Sequence, residues 1–219
     1  RVAGVNNISN SVNQPFTIQT RLRILPFSGD VNNSVDLLNN PIDDACVGQK
    51  FIYNPGAVDA DGDSIAYELA ESKGVDGQIA RGFVFPPNMS VDAINGDLIW
   101  DTPNEGGIFN VAILVKEFRN GVAMGEVLRD IQIRVIPGCN NQPPDIIAQD
   151  LVCVEADSTI TMPVLGTDPD PGDRVKLSVT GEFFEAGFPN PPSKSDFALF
   201  DQPVTASIVW NTNCDNVRM

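Results

Sequence analysis

The segment Asp59-Ala-Asp-Gly-Asp63 places three carboxylates, Asp59, Asp61 and Asp63, at alternate positions just before the run Ser64–Leu69. A second acidic loop, "DPDPGD", carries Asp168, Asp170 and Asp173. Carboxylates this close repel one another unless positive charge compensates them. Calcium, which takes oxygen ligands, would supply that charge. An EF-hand loop needs its glycine sixth and a glutamate twelfth; counted from Asp59, the glycine is fourth and the twelfth residue is Ala70. The alternative to a calcium site is a solvated Asp/Gly turn, and its recurrence in a second copy favours calcium. A glycosidase pair also requires two carboxylates at a set separation, but a loop leading into a strand offers no evident cleft. The chain contains no histidine, which removes Ser-His-Asp and Cys-His catalysis and the usual zinc sites. It has no G-x-S-x-G, phosphate loop or dinucleotide fingerprint either. Catalysis is therefore not expected.

The elements that position these loops form a repeat. Cys46, the acidic loop at Asp59 and Trp100 recur as Cys153, the loop at Asp168 and Trp210, 107 to 110 residues further on. Upstream, Asn32 and Asn33 correspond to Asn140 and Asn141. A period of about 110 residues is the size of one β-sandwich domain. "SIAYEL" alternates with period two, "AINGDLIW" carries an Asn-Gly turn before a strand, and "FNVAILVKEF" and "EVLRDIQIRVI" flank the turn "RNG". Such short, turn-separated strands predict an antiparallel sandwich. The expected organisation is the last strands of a preceding repeat in 1–30, one complete repeat in 31–138, and a partial following repeat in 139–219.

In that topology the acidic loop and the turn after "VKEF" lie at the same end of the complete repeat. Glu117 is then expected to reach Asp59, Asp61 and Asp63, the alternative being an ion pair with Arg119. Asn33, and Asn141 in the second copy, are expected to bring amide oxygens. The four cysteines have no metal-site spacing and suggest disulfides in an oxidising compartment. Their positions favour the pairs Cys46–Cys139 and Cys153–Cys214. Trp100 and Trp210 are expected in the core rather than on a sugar-binding platform.

A net charge of −15 disfavours nucleic acid or an anionic membrane as partner. No apolar run is long enough to span a bilayer, and "RVAGVNNISN" lacks the apolar segment of a signal peptide.

The stretches "DACVGQKFIYNPGAVDADGDSIAYEL", "INGDLIWDTP", "GIFNVAILVKEFRNG", "RDIQIRVI" and "CNNQPP" resemble the tandem cadherin-like/Ig-like repeats of large Bacteroidota surface proteins. Those proteins are the gliding-motility-associated, type IX-secreted adhesins. The resemblance is closest over residues 32 to 141 and looser beyond, where a proline interrupts the acidic loop. It implies a long extracellular stalk stiffened by calcium and disulfides, acting in cell adhesion or gliding motility. Its partners would be neighbouring repeats of the same chain, surface polysaccharide or other cell-surface proteins. "DSI" at Asp63–Ile65 and "DST" at Asp157–Thr159 are similar to the O-glycosylation motif of that phylum. Two other functions stay open: a carbohydrate-binding accessory module of a secreted enzyme, and a self-assembling fibre subunit that takes strands from a neighbour.

Overall fold

Period-two patterning and frequent turn residues produce strands throughout, and the protein is all-β. The structure, a computed structural model, describes residues 4–24, 31–42, 44–185, 188–195 and 199–216. Among them the only helical pieces are 3-10 turns of three residues each. The chain divides into two units, Arg1–Cys139 and Asn140–Met219.

The first unit contains β1 (Thr20–Leu22), β2 (Asp36–Leu37), β3 (Asp44–Cys46), β4 (Phe51–Tyr53), β5 (Ala57–Val58) and β6 (Ser64–Ala70). After these come β7 (Met89–Val91), β8 (Leu98–Trp100), β9 (Gly107–Arg119) and β10 (Val122–Ile136). The larger sheet runs β1-β10-β9-β6, with β3 also paired to β10, and the smaller runs β4-β8-β7. β9 and β10 form a long hairpin whose turn, Asn120-Gly121, has φ of 50° and 77°. Both positive values belong to the type I′ turn, which suits Asn-Gly. The two sheets bury one core between them. Phe51, Tyr53, Leu98 and Trp100 face Phe109, Val111, Ile113, Ile131 and Ile133 across it. Trp100 and Phe109 meet edge to face, 5.0 Å between ring centres, and Trp100 Nε1 donates to the Pro87 carbonyl at 3.0 Å.

Residues 1–30 were expected to close a preceding repeat, but the described part of them belongs to this unit. β1 pairs antiparallel with β10, Thr20 opposite Val127. Val5 and Ile8 are buried with Ala80, and Phe83 and Ile108 pack against them. Where β6 ends, the edge of β9 would be bare. There the Asn6 amide donates to the Ile108 carbonyl at 2.7 Å. The Asn7 side chain then donates to the Asn110 carbonyl at 2.8 Å and accepts from its amide at 2.9 Å. These backbone and side-chain bonds continue the ladder, which explains why the segment stays attached. The end of that expected region, 25–30, lies outside the described residues.

Parallel pairing of β3 with β10 sets Cys46 opposite Ile136. That register brings Cys46 to Cys139, and the two form a disulfide with Cα atoms 5.9 Å apart. Closing a loop of this length stabilises the fold by about 4–5 kcal/mol in the chain-entropy account. The second expected bridge is absent: Cys153 and Cys214 are free and exposed. Cys153 lies in a stretch, 151–155, without strand structure, and Cys214 lies in a 3-10 turn. No ladder like β3–β10 fixes their register.

The second unit contains β11 (Asp145–Ile147), β12 (Thr159–Thr167), β13 (Arg174–Lys176), β14 (Ser193–Lys194), β15 (Leu199–Asp201) and β16 (Val204–Asn211). Its registers repeat those of the first. Asp36 pairs with Val58, and Asp145 with Thr167. Phe51 pairs with Trp100, and Ile160 with Trp210. The Trp210 indole likewise donates to a carbonyl, that of Asn190, at 2.8 Å.

Candidate metal centre

Strand parity determines where Glu117 points. Phe109, Val111, Ile113 and Val115 alternate along the core face of β9, and Glu117 is the next residue on that face. It sits opposite Ile65 at the start of β6, beside the acidic loop that precedes this strand. It is 1% exposed, and Asp59 is 4% exposed. The β10 partner of Glu117 is Gly125, next to a register shift in the hairpin. A Cβ on Gly125 would lie 2.8 Å from both the Glu117 carboxyl carbon and the Arg21 carbonyl oxygen. The absent side chain is therefore the space the carboxylate occupies.

Asp59, Asp61 and Asp63 offer carboxylate oxygens that all lie within 4.8 Å of one another. Their surroundings differ. Asp59 Oδ1 accepts the amides of Asp61 at 2.9 Å and Asp63 at 3.2 Å. Arg119 donates twice to Asp63, at 2.6 and 2.9 Å, and its guanidinium lies 3.2 Å from Asp61. The expected Glu117–Arg119 alternative does not form, because Arg119 serves these two aspartates. Glu117 Oε1 instead accepts from the Asn32 side chain at 2.7 Å. The second carboxylate oxygens of Asp59 and Glu117, Oδ2 and Oε2, are buried with no hydrogen-bond partner. An orphaned buried carboxylate oxygen is costly, and here two come from neighbouring groups.

The electrostatics follow. Burial pushes the Asp59 carboxyl up, against the pull of the Asp63 and Asp61 amides. Burial also raises Glu117, and the nearby charges of Asp59 and Asp63 add to it, while Asn32 and the Val35 amide draw it down. Asp61 moves the other way: burial is outweighed by hydrogen bonds from Asn33 and by Arg119, and its carboxyl is lowered. The Arg119 guanidinium is held firmly charged by Asp63 and Asp61. The one guanidinium thus serves Asp61 and Asp63, while Asp59 and Glu117 each keep an unpartnered oxygen. The clustered hard oxygens of Asp59, Asp61 and Asp63 could hold a metal ion, and the unpartnered oxygens of Asp59 and Glu117 are the charge such an ion would compensate.

Asn33 reaches the loop, but as a donor. Its backbone and side-chain N–H groups bond to Asp61 at 2.6 and 2.7 Å. The same backbone bond recurs in the second unit at Gln142: its amide donates to Asp170 at 2.6 Å across the same separation of 28 residues. Asn141 turns its side chain to the Gln142 carbonyl. Asp168 accepts the Asp170 amide at 2.9 Å, as Asp59 does that of Asp61. Asp168, Asp170 and Asp173 also lie within 4.8 Å of one another, but none is buried. Gln202 brackets this loop, accepting the Asp168 amide and donating to the Asp170 carbonyl.

Of the residues named from the sequence, the structure brings Asp59, Asp61 and Asp63 together and places Glu117 beside Asp59 and Asp63. Sequence reasoning missed Asn32 as the partner of Glu117, Arg119 as the partner of Asp63, and Gly125. The "NN" doublet was the available signal for Asn32; Gly125 carries none until the β9–β10 register is known. No protein-family model matches the chain, and a search of curated proteins finds no match.

Proposed function

We propose that the chain is a non-catalytic structural segment of a long extracellular cell-surface adhesin or filament. It consists of tandem cadherin-like/Ig-like repeats stiffened by calcium and a disulfide. The observation that carries this reading is the pair of buried, unpartnered oxygens on Asp59 and Glu117, beside the 31–35 stretch that enters the loop. A cation there ties that stretch, the acidic loop and the β9–β10 hairpin together. Calcium suits it better than magnesium, because calcium tolerates irregular carboxylate shells while magnesium keeps octahedral geometry and its waters.

The disulfide fits an oxidising, non-cytoplasmic compartment. Among the described residues no helix is long and apolar enough to cross a membrane. Partners in this reading are neighbouring repeats of the same chain and, at the surface, polysaccharide or other proteins; gliding motility is the process that the sequence resemblance suggests. Calorimetric titration and melting test the cation. Calcium raises the melting temperature by about 5 °C or more over chelator, as expected for a ligand held only by the folded state. Asp59→Asn with Glu117→Gln abolishes the difference. Equal melting curves, with no heat of binding, would sink the proposal.

A further inference from the structure

The two units share register but not burial. In the first, Tyr53, Leu98 and Trp100 are 2%, 0% and 1% exposed under the β9–β10 hairpin. Their counterparts on β12 and β16, in matching register, are Met162, Ile208 and Trp210; all three are only half-buried, although Phe183 and Phe188 lie against the Trp210 ring, at 4.9 and 6.1 Å between ring centres. The buried core of the second unit is confined to Val164, Val175, Leu177, Val204 and Ala206. β13, which continues the acidic loop as β6 does, pairs with β15 on one side. Among the described residues no strand pairs with its other edge. In the first unit β6 pairs with β9 along seven residues, Ser64 opposite Phe118 to Ala70 opposite Ala112. An open edge and a half-covered apolar face therefore coincide where the first unit seats its hairpin.

We propose that this face of the second unit is a docking site for an antiparallel β-hairpin built like β9–β10. The occupant alternates apolar residues toward β12 and β16, as Phe109, Val111 and Ile133 do, and pairs its first strand with β13 through backbone hydrogen bonds. Its chemistry is read from the first unit, where the same frame of strands, with the same indole bond and the same acidic turn, already holds such a hairpin. The inference stands apart from the calcium reading, since it rests on apolar burial and a free strand edge.

The test joins a copy of residues 105–138 to the end of the chain through a flexible Gly/Ser linker. Hydrogen exchange at Arg174–Lys176 and along β16 is expected to slow at least tenfold, with the protein still monomeric by light scattering. A copy whose inward apolar residues are changed to serine gives no protection. Unchanged exchange with the native hairpin overturns the proposal. So does finding that the unmodified chain is a dimer with these amides already protected, because a second copy then covers the face. A variant of the unmodified chain gives an independent check. Ile208→Glu shifts the melting temperature of the second unit by no more than about 2 °C if the face is open, whereas its counterpart Leu98→Glu unfolds the first unit. Unfolding of the second unit by Ile208→Glu would also overturn the proposal.

Discussion

Asp59 and Glu117 carry the charge that the fold leaves uncompensated, and their titration is measurable. Burial raises the folded-state pKa of both above the unfolded values. The stability they contribute is therefore full below the unfolded carboxylate range and is lost as pH rises through the raised folded values. Melting in chelator should show the first unit less stable at pH 7 than near pH 5 on their account. The double variant Asp59→Asn, Glu117→Gln should flatten that dependence, and calcium should remove it in the native protein. Gly125 gives a second prediction at this scale. Gly125→Ala drives a methyl into the Glu117 carboxyl and the Arg21 carbonyl. It should weaken cation binding at least tenfold by calorimetry and destabilise the fold by about 1–3 kcal/mol, as overpacking does.

At the scale of elements, two devices hold the first unit closed. The β3–β10 pairing delivers Cys46 to Cys139. Cys46→Ser with Cys139→Ser should lower stability by about 2–5 kcal/mol in denaturant unfolding. Cys153→Ser and Cys214→Ser should leave it unchanged, and both of those thiols should label in the native state. The other device is the segment along β9. Asn7→Ala leaves the amide and carbonyl of Asn110, a residue 0% exposed, without partners. A cost of about 1–3 kcal/mol follows from unsatisfied buried groups, and hydrogen exchange should quicken at Asn110 ahead of Val115. Failure of that local acceleration would show that the segment is held by Val5 and Ile8 alone.

For the whole molecule, the two units share a plan and differ in what covers it. The acidic turns repeat down to the amide that reaches the second aspartate, Asn33 in one and Gln142 in the other. Among the described residues a buried glutamate, Glu117, backs the first turn, and the tryptophan of the first unit is 1% exposed while Trp210 is half-buried. Calcium should accordingly raise the melting of the first unit and leave that of the second within about 2 °C, read as separate transitions in calorimetry. A shift of similar size in both would mean that exposed carboxylates alone suffice to hold the ion.

The strands, the repeat and the acidic loops were legible in the sequence because alternation, turn residues and aspartate spacing are local properties. Trp100 and Trp210 could be matched by counting, and Glu117 could be brought near the acidic loop from the end of the repeat at which the two loops lie. The decisive features of the site were not local. Arg119 prefers Asp63 to Glu117 because the β6–β9 pairing sets it opposite that loop. Gly125 matters only through its place across the hairpin from Glu117. The amino-terminal segment joined the first unit because the edge of β9 beyond β6 needed backbone partners. The same limit applied to cysteine: equal spacing suggested two bridges, but the structure forms only the one that a parallel ladder holds in register. Residue types and spacing determined which groups could bind or bridge. Pairing between distant strands decided which of them met, because burial and register depend on neighbours that the local sequence does not specify.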